Sequence, residues 1–372
     1  MPRPLWLNLL ILARPAQWAK SAFVLIGPFY GLKDMPAAER SIGRIALEAF
    51  IAAAAFALAS SACYVLNDIA DRDSDRAHPR KRHRPIASGD VPLSTARLFA
   101  GILMIVAAAL CLLIPRPGAL WLLLTLALYI GLTTLYSLWL KHRVIADVMS
   151  LSLGFVLRVL GGCAAAAVAP STWLLNTTFF LSMFLAFGKR LGERRAIAET
   201  GAPTTSESAS ESWRSTSLSP KGWKSIAGGQ ASAASATPGH ATQEVSLPAM
   251  SPPGSPGGES RAGSGASPAS LIRPVHATYT DRLLQMAVVV TAVVTLMTYA
   301  LYVNDQGPRY MRGFNLLWLT MIPATYALLR SIVLVDTGRY DDPTELALRD
   351  RPFQAACLLF AGITISLLFW LR

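Results

Sequence analysis

Long apolar segments separated by short polar loops recur along almost the whole chain. Several of them approach the ~20 residues that a membrane-spanning helix needs. The pattern predicts an all-α, multi-pass membrane bundle of about nine transmembrane helices. The predicted spans lie at approximately 19–33, 45–68, 94–114, 118–140, 144–168, 172–190, 283–303, 313–335 and 353–371. Residues Pro4 to Ala13 are apolar but too short to span, and we expect an interfacial helix there.

One segment, from about Ile197 to Ala277, breaks this pattern. It is dominated by Ser, Ala, Gly, Pro and Thr, a composition that cannot bury enough apolar surface to fold alone. We therefore divide the chain into residues 1–196 with six helices, a disordered cytoplasmic insertion at 197–277, and residues 278–372 with three helices. The alternative is that Trp213 and Trp223 mark a weak docking element within this segment. The composition favours a flexible insertion that the fold tolerates.

The chain is 53% hydrophobic and 15% charged, with a formal net charge of +12. Its Lys and Arg residues cluster in loops, which is typical of the positive-inside rule and of anionic substrates rather than of nucleic-acid binding. We expect a plasma-membrane protein with its N-terminus inside and its C-terminus outside. The loops predicted to be cytoplasmic carry Arg72 to Arg84, Lys141 and Arg143, Lys189 to Arg195, and Arg349 with Arg351.

Neither a disulfide framework nor a cleaved leader is expected. The four cysteines all lie in apolar segments and lack the spacing of metal ligands. Met1 to Ala13 lacks the order of basic region, apolar core and small-residue cleavage site that a signal peptide has.

A carboxylate-rich sequence, Asn67 to Asp75, closes the second predicted span. If the apolar helix continues through it, Asp68, Asp71 and Asp75 fall at i, i+3 and i+7 and share one face. Three carboxylates there repel one another unless a cation lies among them, and oxygen ligands suit a Mg²⁺ ion that bridges to substrate phosphates. A solvated helix end is the alternative, but ionisable groups at the mouth of a span tend to be functional. We predict a catalytic Mg²⁺ site at these three aspartates.

Basic residues lie near this cluster and are predicted to bind the rest of a phosphorylated substrate. Tyr136 and Lys141 close the fourth span, although Lys141 is also explained as a marker of a cytoplasmic helix end. Asp147 lies one turn into the fifth span, and it is a stronger candidate for a functional residue if it faces the bundle interior. The predicted substrate-binding residues of this region are Lys20, Asn67, Lys81, Arg82, Arg84, Tyr136 and Lys141.

Arg158 lies deep inside the fifth span, roughly 20 Å along the helix from Val144. An arginine at that depth is costly unless it pairs or faces an aqueous cavity. Snorkelling is the competing explanation, but the helix end is more than two turns away. We favour a structural or substrate-facing role. At the end of the sixth span, Lys189 and Arg190 are predicted to meet the same phosphate as the aspartates; a Lys189–Glu193 pair is the alternative.

The run Asn67-Asp68-x-x-Asp71-x-x-x-Asp75 resembles the signature of the UbiA superfamily of intramembrane prenyltransferases. That resemblance implies nine helices around a cytoplasm-facing cavity, in which the aspartates hold Mg²⁺ against a substrate diphosphate. The second aspartate-rich motif that such enzymes carry near the end of the sixth span is missing. Lys189, Arg190 and Glu193 stand there instead, which favours direct cationic contact with phosphate.

Further motifs resemble the decaprenyl-phosphate phosphoribosyltransferase branch of that superfamily. The resemblance implies a transferase that uses 5-phosphoribosyl diphosphate as donor and a polyprenyl phosphate as acceptor, for cell-wall arabinan synthesis. Two alternatives stay open. One is a UbiA-type prenyltransferase that joins an isoprenoid diphosphate to an aromatic or other small acceptor. The other is a non-enzymatic lipid or ion transporter, for which no inverted repeat is evident. The sequence leaves open whether the chain forms a homo-oligomer. The matching motifs are Arg14-Pro15-x-Gln17-Trp18-x-Lys20, His78-Pro79-x-Lys81-Arg82-x-Arg84-Pro85-Ile86-Ala87-Ser88-Gly89, Tyr136-Ser137-x-x-Leu140-Lys141, Gly154-Phe155-Val156-Leu157-Arg158, Leu185-Ala186-Phe187-Gly188-Lys189-Arg190 and Asp350-Arg351-Pro352.

Overall fold

A computed structural model of the chain describes residues 4–31, 41–78, 81–199, 279–311, 313–336 and 349–370. Within these ranges the regular structure is helical, apart from one isolated β-bridge between Met311 and Asn315. The α-helices are α1 (Leu5–Ala13), α2 (Phe23–Gly31), α3 (Ile42–Ala70), α4 (Arg72–Ala77), α5 (Pro85–Ser88), α6 (Leu93–Leu112), α7 (Gly118–Leu138), α8 (Ala146–Ala166), α9 (Thr172–Glu199), α10 (Asp281–Asp305), α11 (Met321–Asp336) and α12 (Arg351–Trp370).

The helices confirm an all-α, multi-pass membrane protein. Seven helical segments in the described residues are long and apolar enough to cross a membrane. The first of them, Leu5–Gly31, joins α1 to α2 through a 3₁₀ segment at Pro15–Ala22. α9 and α12 coincide with two further predicted spans but are not among those seven, so the count of nine and the orientation in the membrane stay predictions. Residues 200–278, which hold almost all of the predicted insertion, lie outside the described residues.

One half of the core lies where α3, α6, α7 and α8 meet. Its largest fully buried side chain is Phe56 of α3, whose ring centre lies 5.5 Å from that of Tyr129 of α7. α2 approaches α8 very closely: a Cβ on Gly162 would lie 1.8 Å from the carbonyl oxygen of Val24. Small residues that let two backbones touch are typical of helix contacts in membranes, because lipid tails provide no hydrophobic drive for association.

The other half of the core joins α8 to α9, α10 and α11. Phe184, Phe187 and Leu191 of α9 pack there against Leu284 and Val288 of α10. Local capping fixes where the helices begin. The Thr280 hydroxyl accepts the Leu283 N–H at 3.2 Å at the start of α10, and Asp350 accepts the Phe353 N–H at 2.9 Å at the start of α12. The polar ends of α3, α7, α8 and α9 meet at one end of the bundle, where Lys141 lies beside Asp71 and Arg190 pairs with Asp147.

Candidate active site

The aspartate sequence forms a bend and does not continue α3. The helix ends at Ala70, Asp71 has φ −86° and ψ 3°, and the short helix α4 follows from Arg72. The expected continuous helix is therefore wrong, and the three carboxylates do not share one open face. Asp68 and Asp75 are 3% and 2% exposed, whereas Asp71 is half-buried at the bend.

Two arginines stand among these carboxylates. Arg14 donates from Nη2 to both oxygens of Asp68, at 2.6 and 2.9 Å, and its guanidinium lies 4.9 Å from the centre of the Tyr64 ring. Arg84 donates from Nη1 to Asp68 at 3.0 Å and to Asp75 at 2.8 Å. Buried carboxylates need such partners, since an unpaired buried charge is strongly destabilising. Arg14 was not among the predicted site residues, although it stands in one of the motifs that carried the resemblance.

A polar pocket of about 260 Å³ opens beside this cluster, between α3, α7 and α8. Among the described residues, one carboxylate, Asp71, lines it together with five cationic side chains. Asp68 and Asp75 pair with two of these cations, so cations outnumber carboxylates by five to three. Six of the predicted binding residues line the pocket. Arg14, which was not predicted, also lines it. The lining includes Arg14, Lys20, Ser60, Tyr64, Asn67, Asp71, Lys81, Arg84, Tyr129, Tyr136, Ser150, Phe155 and Arg158.

Asp71 is the carboxylate that the bend presents to the pocket. It accepts a hydrogen bond from Asn67 Nδ2 at 2.9 Å, and Lys141 Nζ lies 3.6 Å from its Oδ1. Asn67 is one turn earlier on α3, so its amide and the Asp71 carboxylate face the same space. The structure thus brings Asn67, Asp71 and Lys141 together, as the sequence predicted.

Arg158 lies at the opposite end of the pocket from Asp71 and is 5% exposed. Its Nη2 donates to Tyr129 Oη at 2.8 Å and to Ser60 Oγ at 3.1 Å, and its Nη1 donates to the Gly154 carbonyl at 3.3 Å. The guanidinium also lies 4.5 Å from the centre of the Tyr129 ring, a cation–π distance. Arg158 therefore faces the cavity inside the bundle, the arrangement that makes an arginine tolerable at this depth.

A family model described as the UbiA prenyltransferase family matches residues 24–211. The chain belongs to this family. It is therefore a transferase, and the matched residues include the bend at Asp71. Among solved structures, a UbiA homologue from Archaeoglobus fulgidus bound to DMAPP and Mg²⁺ superposes with a TM-score of 0.57 at 13% identity, covering 97% of this chain and 99% of that one. At that identity the likeness shows the fold.

Two curated relatives are named decaprenyl-phosphate phosphoribosyltransferase. The protein from Mycolicibacterium smegmatis is 27% identical over 367 residues, which cover 97% of this chain and 92% of that one. The protein from Corynebacterium glutamicum is 28% identical over 352 residues, which cover 93% of this chain and 82% of that one. The similarity runs along most of the length of both relatives.

The UbiA family implies Mg²⁺, and the donor atoms of this site fit it in part. In the described residues, no three His, Cys, Asp or Glu side chains are close enough together to hold a metal ion. Asp68 and Asp75 direct their oxygens to Arg14 and Arg84. Asp71 and Asn67 offer oxygens to the pocket, and Mg²⁺ commonly uses one or two carboxylates, with water and substrate phosphates completing its shell. Of the three predicted aspartates, Asp71 is the one whose position, together with that of Asn67, suits a hydrated Mg²⁺ ion that is also bound to a substrate diphosphate.

Four predicted binding residues do not line the pocket of this UbiA-family chain: Lys141, which lies beside Asp71, and Arg82, Lys189 and Arg190. Arg82 is exposed, and its Nε donates to His83 Nε2 at 3.3 Å. Lys189 is half-buried on α9, and Arg190 is 5% exposed beside it. Neither Lys189 nor Arg190 lines this pocket, so their contact with the same phosphate as the aspartates stays a prediction.

Arg190 belongs instead to a buried ion-pair cluster that joins α8, α9 and the start of α10. Its Nε donates to Asp147 at 3.1 Å and its Nη1 to Glu193 at 2.8 Å. Asp147, which is 1% exposed, also accepts the Tyr279 hydroxyl at 2.6 Å. Burial raises the pKa of Tyr279 above its ordinary value, which keeps this hydroxyl protonated as a donor. Asp147 does face the bundle interior, and it is bound within this cluster.

A second, apolar cavity of about 500 Å³ lies between α2, α8, α9, α10 and α12. Its walls are mainly aromatic and aliphatic, with Phe29, Tyr30, Trp173 and Phe360 among them. Phe23 lines this cavity and Phe155 lines the polar pocket, and their ring centres are 4.7 Å apart. One pair of aromatic rings therefore separates the charged space from the apolar one.

Proposed function

We propose that the enzyme transfers 5-phosphoribose from 5-phosphoribosyl diphosphate to a polyprenyl phosphate, with release of diphosphate and with Mg²⁺ as cofactor. The observation that carries this proposal is the excess of positive charge at the polar pocket. Among the described residues, five cations line it, against Asp71 and the two carboxylates, Asp68 and Asp75, that pair with two of these cations. The five are Arg14, Lys20, Lys81, Arg84 and Arg158. Like charges held together in a partly enclosed space repel one another unless anions fill the space between them. The pocket therefore fits a ligand with several phosphate groups.

Donor and acceptor together bring three anionic groups to this site. An allylic diphosphate, the donor of an ordinary prenyltransferase, brings one anionic group and an apolar tail. Phosphoribosyl diphosphate adds a phosphate at ribose C5, and the lipid acceptor adds another phosphate. The two relatives named decaprenyl-phosphate phosphoribosyltransferase support the same choice.

Asp71 and Asn67 are the residues that would hold Mg²⁺ against the diphosphate. The ion would supply charge neutralisation of the leaving group. Asp68 and Asp75 would join as ligands, as predicted from the sequence, only if Arg14 and Arg84 turned from them onto substrate phosphates. In their present arrangement these two carboxylates orient both arginines toward the pocket, where the guanidinium groups can bind phosphate in a bidentate manner.

The reaction needs fixed cations more than it needs a base. The bond between ribose C1 and the diphosphate oxygen breaks, the diphosphate leaves with the electron pair, and a lipid phosphate oxygen bonds to C1. Because the acceptor is already anionic near neutral pH, no strong general base is required. Lys141, next to Asp71, and Lys81 are placed to stabilise the charge that develops on the leaving group.

The acceptor's polyprenyl chain needs an apolar path beside the charged pocket. The cavity behind Phe23 and Phe155 has the volume and the walls for part of such a chain. The proposed site is open to the cytoplasm, following the distribution of Lys and Arg along the chain. A cell-wall role follows from the substrates and is part of this proposal.

A two-substrate assay tests this function. Purified protein with Mg²⁺ is given either phosphoribosyl diphosphate and a polyprenyl phosphate, or an isoprenoid diphosphate and an aromatic acceptor such as 4-hydroxybenzoate. We expect product in the first mixture only. Product in the second mixture alone would replace the proposal with an aromatic prenyltransferase.

A further inference from the structure

Arg158, Tyr129 and Ser60 form the floor of the polar pocket, at the end away from Asp71. We propose that this floor is a phosphate-monoester site that takes the 5-phosphate of the donor, while the diphosphate lies at the Asp71 end. The inference rests on the proposed function and adds to it the direction in which the donor lies.

The first observation is an uncompensated charge. In the part of the chain that the structure describes, the polar contacts of Arg158 are with neutral groups, namely the Tyr129 and Ser60 hydroxyls and the Gly154 carbonyl. Buried arginines in proteins are normally paired with a carboxylate, because neutral partners compensate little of the desolvation of a guanidinium. Arg190, equally buried at 5% exposure, has two such carboxylate partners.

The second observation is an unpartnered donor. The Nε–H of Arg158 is buried and has no hydrogen-bond partner among the described residues. Most buried polar groups in native structures are satisfied, so a buried orphan donor beside a cavity indicates a group supplied from outside the chain. Nε and Nη together form the edge of a guanidinium that binds two oxygens of one phosphate.

The third observation is the length of the pocket. Ser150 and Arg158 both line it and lie eight residues apart on α8, which corresponds to about 12 Å along the helix axis. Ser60, which contacts Arg158, and Asn67, which contacts Asp71, lie seven residues apart on α3, about 10 Å along its axis. Asp71 therefore lies toward the other end, with Lys141 3.6 Å from it. A donor with phosphate groups on both sides of a ribose ring would place charge at both ends. An isoprenoid tail at the same floor would meet a guanidinium and two hydroxyls.

A phosphate monoester could come from either substrate, from the donor at ribose C5 or from the acceptor at its lipid end. The donor is favoured because Tyr129 and Phe155 enclose the floor, and the Phe23–Phe155 ring pair stands between the floor and the apolar cavity proposed for the acceptor's chain. The two sources are separated by measuring fragments of the donor and the acceptor independently.

The experiment compares competitive inhibition of the purified enzyme by ribose 5-phosphate, which reports on the floor, and by inorganic diphosphate, which reports on the Asp71 end. In Arg158→Gln we expect the inhibition constant for ribose 5-phosphate to rise about 10-fold or more, since hydrogen bonds to charged groups are the stronger ones. The constant for diphosphate and the KM for polyprenyl phosphate should change less than about threefold. Arg97→Gln, at an exposed position on α6, is the matched control.

Arg158→Lys keeps the positive charge but loses the bidentate hydrogen bonding of the guanidinium. We expect this variant to fold even if Arg158→Gln does not, and to lose part of the affinity for ribose 5-phosphate. Unchanged inhibition by ribose 5-phosphate in both folded variants would overturn the proposal, as would a rise confined to the KM of the acceptor. If the wild-type enzyme transfers no phosphoribose, the proposed function fails instead. Thermal stabilisation by ribose 5-phosphate, compared with ribose, then still tests the floor.

Discussion

Arg14 donates to both carboxylate oxygens of Asp68, at 2.6 and 2.9 Å, across a separation of 54 residues in the chain. The contact fixes the segment between α1 and α2 onto the end of α3. Arg14 itself has a left-handed backbone, with φ 52°, a conformation that non-glycine residues adopt rarely and that clusters at functional sites. A cation supplied by the chain therefore stands where the sequence pattern led us to expect a metal ion.

Arg14 and Asp68 should be energetically coupled. Arg14→Gln leaves the buried Asp68 with Arg84 alone, and Asp68→Asn removes the charge that orients both arginines. We expect a coupling energy of about 1–3 kcal/mol in a double-mutant cycle, measured from unfolding in detergent. The same cycle run on the KM for the donor should also be non-additive. Additive effects in both would show that the pair neither stabilises the site nor positions its phosphate ligands.

Asp71 should be the most sensitive aspartate for Mg²⁺-dependent turnover. Asp71→Asn keeps the size of the side chain and removes the charge that faces the pocket, so we expect kcat to fall about 100-fold or more. The Mg²⁺ concentration needed for half-maximal activity should rise as well. Asp73→Asn is the matched control, because Asp73 is exposed on α4 and loses the same charge.

This result is checked by a Mg²⁺ titration of turnover for both variants, after their melting temperatures have been shown to equal that of the wild type. Wild-type activity in Asp71→Asn, or an equal loss in Asp73→Asn, would remove Asp71 from the metal site.

Arg190 should behave as a structural residue. Its two ion pairs, with Asp147 at 3.1 Å and Glu193 at 2.8 Å, tie α8 to α9, and breaking a buried pair costs about 3–5 kcal/mol. We expect Arg190→Gln to lower the melting temperature clearly and to leave the KM for the donor within about threefold. Glu193→Gln, on the more exposed partner, should lower it less. A tenfold rise in the donor KM at an unchanged melting temperature would restore the phosphate-binding role that the sequence predicted.

The helices were predictable because apolar length and loop charge follow directly from the solvent that surrounds each segment. The same reasoning placed Arg158 correctly in a cavity, since an arginine inside a span has few tolerable environments. Residue types and spacing also predicted that Asn67, Asp71, Lys81, Arg84 and Lys141 gather at one end of the bundle, and the structure brings them together there.

The pairing of charges was not predictable from local spacing. Arg14 compensates the buried charge of Asp68, and nothing near the aspartates in sequence indicates that partner. The position of Arg190 away from the pocket was unpredictable for a similar reason, and the phosphate-binding roles of Lys189 and Arg190 stay predictions. Adjacent cations at a helix end point in different directions, and the cluster that holds Arg190 includes Tyr279, which follows the predicted insertion in the chain.

The substrate proposal is tested most directly by a doubly labelled donor. Phosphoribosyl diphosphate carrying ¹⁴C in the ribose and ³²P in the terminal phosphate is incubated with purified protein, Mg²⁺ and a polyprenyl phosphate. We expect ¹⁴C to enter the lipid fraction while an equal amount of ³²P appears as water-soluble diphosphate, with both signals lost in Asp71→Asn. An absence of ¹⁴C from lipid, with isoprenoid diphosphate consumed in a parallel reaction with an aromatic acceptor, would contradict the phosphoribosyl assignment.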